Sequence, residues 1–317
     1  MGGKIPAGNA PINGARLSRF VRPDDEDWAR TWTKQIASRS LHPFKSIFVE
    51  TVLGTTHVLQ TQERTGCTEM ICVPGWGTNS AFWVVARNLE GLAKVARLSI
   101  VDVPGQPGMS TGWSPPIGGD GYGRWLRDVA DGLGLRTVSL MGTSFGAYIV
   151  LLGERSLRDR VSHLVICAPA GIVRPCPGLR TLWTMASLRI HPTRSRADAF
   201  IRQILGPNQT LPADAHSEIV EAVIRFGRGF KIAGSLPPVL RDGVLREVAA
   251  DMMLIVGEDD PLFSASGISE RAGRLFPNLR CTETLPAHGH GLEFSPVVMN
   301  LAAEFLTDTP RSVDASM

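Results

Sequence analysis

Residues 137–152 read Thr137-Val138-Ser139-Leu140-Met141-Gly142-Thr143-Ser144-Phe145-Gly146-Ala147-Tyr148-Ile149-Val150-Leu151-Leu152. The first five residues are a short β-prone run and the last six suit a buried helix. Gly142 and Gly146 therefore stand where the chain turns sharply from strand into helix, and such a turn exposes the serine between them. Gly-x-Ser-x-Gly alone is a weak signal, because the chain holds a second copy at Gly108-Met109-Ser110-Thr111-Gly112. That copy follows the turn Pro104-Gly105-Gln106-Pro107 and precedes Trp113-Ser114-Pro115-Pro116, with neither strand nor helix beside it, so Ser110 reads as a loop residue. Ser144 has the strand, turn and helix that a nucleophile needs.

The same alternation extends along the chain. Strand-like apolar runs at 46–52, 55–60, 69–73, 97–103, 137–141, 162–168, 252–256 and 279–285 are interleaved with helical patterns near 80–93, 121–133, 145–157, 264–275 and 296–307. This predicts an α/β fold with a mainly parallel eight-stranded sheet covered by helices on both faces. The rhythm breaks between about 172 and 247, where helical patterns succeed one another without a strand. The expected organisation is a lead and helix over 1–44, a core of 45–171 and 248–307, a helical insertion over 172–247 and a disordered tail over 308–317. Residues 1 to about 22 lack periodicity and read as flexible. Pro23, Asp24 and Asp25 then start an amphipathic helix with Trp28, Trp32 and Ile36 on one face. The two tryptophans either pack on the main domain or serve a dimer contact or an entrance, and nothing in the sequence specifies a homodimer.

In α/β sheets the reacting groups leave the carboxyl ends of strands. The run Met252–Val256 is followed by Gly257-Glu258-Asp259-Asp260-Pro261, and the run 279–285 by Pro286-Ala287-His288-Gly289-His290-Gly291. A serine hydroxyl is a poor nucleophile until an imidazole takes its proton, and the imidazole needs a carboxylate to orient it. Ser144, Asp260 and His290 supply that set in chain order. Pro74-Gly75-Trp76-Gly77-Thr78-Asn79-Ser80 follows the strand ending at Val73. A tetrahedral intermediate needs two N–H donors, and the amides of Trp76 and of Phe145, just past the serine, are placed to provide them.

Together these motifs resemble the α/β-hydrolase superfamily over roughly residues 45–307. The resemblance puts the family's nucleophile elbow on Gly142 to Gly146 and its acid loop on Gly257 to Asp260, with Asp260 rather than Asp259 as the acid. Its Gly-His falls on Gly289-His290, making His290 rather than His288 the base. Asp102 to Ser110 is similar to the family's Asp-x-x-Gly-x-Gly-x-Ser loop with one residue more between the glycines, which implies a structural role for Ser110. Pro74 departs from the histidine that usually opens the oxyanion loop. The resemblance further implies that the insertion is a cap, that no metal or organic cofactor is needed, and that the reaction is acyl transfer to water. The bond is ester-like, of the carboxylesterase, thioesterase or lactonase type. Carbon–carbon bond hydrolysis on the same triad and a non-catalytic ligand-binding protein are the alternatives. A metal site on His288-Gly289-His290 lacks a further ligand at a recognised spacing.

Charge and composition narrow the partners. With 33 basic against 30 acidic residues the net charge is +3, too balanced for a nucleic-acid binder. No run reaches the roughly 18 apolar residues of a membrane span, and the amino terminus lacks a signal-peptide core, so a cytoplasmic location is expected. Cys67, Cys72, Cys167, Cys176 and Cys281 lie far apart and read as reduced, mostly buried thiols. Residues 174–246 carry 11 basic and five acidic side chains. This excess either steers an anionic or carrier-linked acyl substrate or is a solvated helical face. Leu182, Trp183, Met185 and Leu188 are read as the insertion's own core, with an acyl pocket as the alternative.

Overall fold

The computed structural model describes residues 11–63 and 66–308. Residues 1–10 of the expected lead, and the expected tail beyond Asp308, lie outside them. Eight strands form one sheet: β1 (Phe44–Thr51), β2 (Gly54–Thr61), β3 (Thr68–Val73), β4 (Ala96–Val101), β5 (Val138–Thr143), β6 (Val161–Cys167), β7 (Asp251–Gly257) and β8 (Leu279–Leu285). Their spatial order is β8-β7-β6-β5-β3-β4-β2-β1. β2 runs antiparallel to both neighbours, β1 and β4, and the remaining pairs are parallel. Each of the eight expected strands is present.

The central strands are continuous apolar runs because both of their faces are covered. Met70 and Cys72 point into one core, while Ile71 and Val73 point into the other. The first core is built from α1 (Pro23–Arg39), α2 (Ser80–Val85), α3 (Glu90–Val95) and the carboxyl-terminal helix. The second is built from α4 (Gly121–Gly132), α5 (Phe145–Leu157) and a later helix starting at Ala265. Between β6 and β7 the chain forms α6 (Leu179–Ile190), α7 (Arg194–Leu205), α8 (Ala213–Gly229) and α9 (Asp242–Arg246). After β7 come α10 (Ala265–Leu275) and, last, α11 (Pro296–Thr307). Among the described residues no helix is long and apolar enough to cross a membrane.

Four expectations are corrected. The helix read over 80–93 is two helices, because Arg87 adopts a left-handed φ of 56° that ends the first, and Asn88 Nδ2 donates to the Glu293 carbonyl 2.9 Å away. Residues 16–20, read as flexible, pair as short strands. Arg16–Leu17 pairs with Trp113–Ser114, and Arg19–Phe20 with Phe230–Lys231, so this segment ties the loop after β4 to the chain after α8. Of the cysteines only Cys72 and Cys167 are buried, Cys67 and Cys281 are half-buried, and Cys176 is exposed. Leu182, Trp183 and Met185, read as a core of the insertion, lie on the exposed side of α6. The α1 tryptophans do pack inward. Trp28 and Trp32 stack at 5.2 Å, Trp32 meets Phe82 of α2 edge-on, and Trp32 Nε1 donates to Glu218 of α8 at 2.9 Å.

Asp102, at the end of β4, organises the loops around the site. Its carboxylate accepts from the amides of Ser80 and Met109, each at 2.8 Å, and from His57 Nδ1 at 2.9 Å. Burial pushes its pKa up, but His57 and the two amides outweigh this and hold it below the ordinary carboxylate value. Asp102→Asn turns an N–H toward one of these donors and is expected to cost about 3 kcal/mol in urea unfolding at neutral pH. A depressed native pKa stabilises above the unfolded value and is lost as pH falls, so the deficit should shrink in acid. A full-sized deficit at low pH would count against this account.

Candidate active site

Ser144 sits between β5 and α5 with φ 55° and ψ −114°, a conformation that L-residues rarely adopt. It is held there from both sides: its amide donates to the Cys167 carbonyl at 2.9 Å, and its carbonyl accepts from Tyr148 and Ala170, each at 3.2 Å. The flanking glycines are sterically required. A Cβ on Gly146 would overlap the Val73 carbonyl, and one on Gly142 would crowd the Gly146 backbone. The turn is therefore clamped between β3 and β6, and the half-buried Ser144 faces the loop after β3. A Cβ on Gly75 would stand 3.7 Å from Ser144 Cβ.

That loop presents Trp76, whose ring meets Phe145 edge-on at 5.0 Å. The next amide, of Gly77 at φ 76°, is occupied: it donates to Gln106 Oε1 at 2.8 Å. No hydrogen bond within the described residues engages the amides of Trp76 or Phe145. Gln106 is buried and belongs to the loop that carries one residue more than the related family pattern. Its role was not read from the sequence, although that extra residue was the available signal.

Asp260 and His290 meet across the ends of β7 and β8. Asp260 Oδ2 accepts from His290 Nδ1 at 2.8 Å, and Oδ1 accepts from the amides of Leu262 and Phe263 at 2.7 and 3.1 Å. A carboxylate held at both oxygens fixes the ring with Nδ1 as donor and leaves Nε2 as its acceptor nitrogen. Asp259 is exposed, and its amide donates to the His288 carbonyl. His288 uses both ring nitrogens elsewhere, Nδ1 on the Pro286 carbonyl and Nε2 on Ser295 Oγ.

The histidine loop is braced by the helical insertion. Gly289 donates to the Leu205 carbonyl at 2.8 Å, Gly291 donates to Ile204 at 3.0 Å, and Gln209 Nε2 donates back to Gly291 at 2.9 Å. A cleft of about 1070 Å³ flanks the acid loop, lined by Asp259 and Pro261 and by Arg180, Arg202, Gln203 and His216 of the insertion.

Burial alone would lower the pKa of His290. The Asp260 carboxylate, by charge and by hydrogen bond, and then Glu293 outweigh it, so the imidazole titrates above its ordinary value. Glu293 is itself buried, its Oε2 has no hydrogen-bond partner among the described residues, and burial pushes its carboxyl up to about 7. Sequence reading passed over Glu293, because a single acid next to an apolar pair carries no pattern.

A hydrogen-bonded serine–histidine–aspartate chain runs from β1 through β2 to the end of β4. Ser46 Oγ stands 3.0 Å from His57 Nε2, and His57 Nδ1 stands 2.9 Å from Asp102. Distances alone do not distinguish it from a catalytic relay. Ser46 lies within the regular antiparallel ladder, opposite Leu59, with no turn that gathers amide donors beside it. Asp102 is committed to two loop amides, and Ser110 Oγ bridges the His57 amide to the Asp102 carbonyl. This chain is a strut, and Ser110 belongs to it.

Residues 70–302 match the model of the alpha/beta hydrolase family. The chain belongs to that family. It is similar to carboxylesterase YbfK of Bacillus subtilis (strain 168), 25% identical over 268 residues that cover 80% of this chain and 84% of that one. Solved structures share its fold. Carboxylesterase CesB (YbfK) from Bacillus subtilis superposes at a TM-score of 0.74 with 22% identity, covering 89% of this chain and 98% of that one. Naproxen esterase from Bacillus subtilis superposes at 0.75 with 21% identity, covering 90% and 99%.

Proposed function

We propose that this family member hydrolyses carboxyl esters of small molecules through an acyl-enzyme on Ser144. The observation that supports this reading is the oriented His290–Asp260 pair at the ends of β7 and β8, on the same carboxyl-terminal edge of the parallel strands as the strained serine turn. Similarity to proteins named carboxylesterases supports the bond type. The Ser144 hydroxyl attacks the ester carbonyl carbon while His290 Nε2 takes its proton, and the amides of Trp76 and Phe145 receive the developing oxyanion. Collapse breaks the carbon–oxygen bond, and the leaving alkoxide takes the proton from His290. Water then attacks the acyl-enzyme by the same route and releases the acid. Asp260 orients the imidazole and stabilises its charged form.

The test is intact-protein mass after exposure to a fluorophosphonate, followed by rates on a panel of esters, thioesters and lactones. One adduct is expected on the wild type and none on Ser144→Ala; Ser46, in the strut, should not react. A folded wild type that takes no adduct, or an adduct that persists in Ser144→Ala, would overturn the assignment.

The pH profile follows from the base. His290 must be neutral to accept the proton, so kcat/KM should fall in acid with a midpoint above the ordinary imidazole value. Glu293→Gln removes one of the charges that raise it, and should move this limb to lower pH. An unmoved limb, or one displaced upward, would refute the part given to Glu293.

A further inference from the structure

Helix α6 turns its apolar side outward. Leu179, Leu182, Trp183, Ala186 and Ile190 follow the i, i+3, i+4, i+7, i+11 spacing of one helical stripe, and all are exposed. Leu179 is 87%, Trp183 75% and Ile190 70% accessible. The opposite side faces the protein, where Thr181 is buried and accepts from Gln203 of α7 at 2.7 Å. Twelve residues make a stripe about 18 Å long, more than scattered surface hydrophobics explain.

The chain that carries the stripe is basic over a long run. No Asp or Glu occurs from residue 160 to residue 197, while Arg174, Arg180, Arg189, Arg194 and Arg196 all lie within that span. Arg174, Arg180 and Arg189 form no ion pair among the described residues. At the carboxyl end of α6, an open depression of about 450 Å³ is lined by Arg22, Arg189, His191 and Arg228. Asp198, the next acid along the chain, is already held by Arg202 and His216.

We propose that this face docks on an anionic lipid surface, with Leu179, Trp183 and Ile190 entering the acyl boundary and the arginines around Arg189 holding phosphodiester headgroups. An exposed Trp and aliphatic stripe bordered by arginines is the chemistry of an in-plane interfacial helix. A second copy of this chain is disfavoured by charge, since an isologous contact would bring the arginines of this face toward those of the other copy. The docking does not depend on the esterase reading, because Leu179, Trp183, Arg189 and Ile190 lie outside the cleft beside the acid loop.

The test is co-sedimentation of the full chain with phosphatidylcholine vesicles, with and without phosphatidylglycerol, together with its sedimentation velocity in the absence of lipid. Binding is expected to phosphatidylglycerol-containing vesicles, to weaken with added salt, and to be lost on vesicles of phosphatidylcholine alone. Trp183→Ser with Ile190→Ser, and separately Arg174→Glu with Arg189→Glu, should each weaken it by about tenfold or more, with fluorophosphonate labelling of Ser144 unchanged. The proposal is overturned if the wild type stays in the supernatant, or if both pairs of substitutions bind like wild type. It is also overturned if the wild type is a dimer that Trp183→Ser converts to a monomer, which would assign the face to a second copy.

Discussion

Ser144→Ala is expected to lower kcat/KM for ester hydrolysis by about 10⁵- to 10⁶-fold while leaving the thermal unfolding transition nearly in place. The loss is large because one oxygen forms and then breaks the covalent bond, and no neighbour substitutes for it. Ser46 is the nearest chemical analogue in the molecule, but it lies in a ladder with no oxyanion donors beside it. Asp260→Asn should cost about 10⁴-fold, because an amide in place of Oδ2 no longer enforces Nδ1 as the donor to it and leaves the imidazolium uncompensated. The two losses should not multiply in the double variant, since the residues act as one unit. Steady-state kinetics on one activated ester checks all three variants. A Ser144→Ala enzyme retaining more than about a hundredth of wild-type turnover would show that the chemistry runs elsewhere.

Gly146→Ala is the largest expected stability effect. The added Cβ would overlap the Val73 carbonyl of β3, and the same atom would crowd Pro74. Both neighbours are backbone, so no side chain can swing aside; α5 or β3 must shift, at the junction that sets Ser144 and the Phe145 amide. The expected cost is about 4 kcal/mol or more, a fall in Tm of about 10 °C, with activity lost even where the protein folds. Gly273→Ala is the internal contrast. It lies inside α10 with open space around it, and the same added methyl should stabilise by about 0.5–1 kcal/mol through helix propensity. Thermal unfolding of the two variants decides the point: a Gly146→Ala midpoint within about 2 °C of wild type would mean that the turn is not clamped as described.

The core was legible because parallel strands buried on both faces leave long apolar runs, and residues 69–73, 137–141, 162–168 and 252–256 all show this. Ser144, Asp260 and His290 were legible for a related reason. Each lies within five residues of a strand's end, so placing the strand places the side chain. Helix ends and exposed faces were harder. Arg87 breaks a helix through its backbone φ, which its residue type does not announce. Leu182, Trp183 and Met185 look like core in composition, and only the direction in which α6 packs reveals that they face water. The segment around Arg16–Phe20 has no periodicity because its order comes from strands more than ninety residues away.

The sequence by itself determined the fold class, the chain order of the candidate residues Ser144, Asp260 and His290, and the loops that carry them, because these depend on local pattern and on short connections between strand and helix. Tertiary structure alone decided that the Ser46–His57–Asp102 chain is a strut, that Gln106 secures the loop after β3, and that the insertion braces His290. It also set the charge of Glu293 against His290 and turned the apolar face of α6 outward. The physical reason is the same in each case: hydrogen bonding, desolvation and steric overlap depend on distances between residues far apart in the chain, and those distances exist only once the chain has packed.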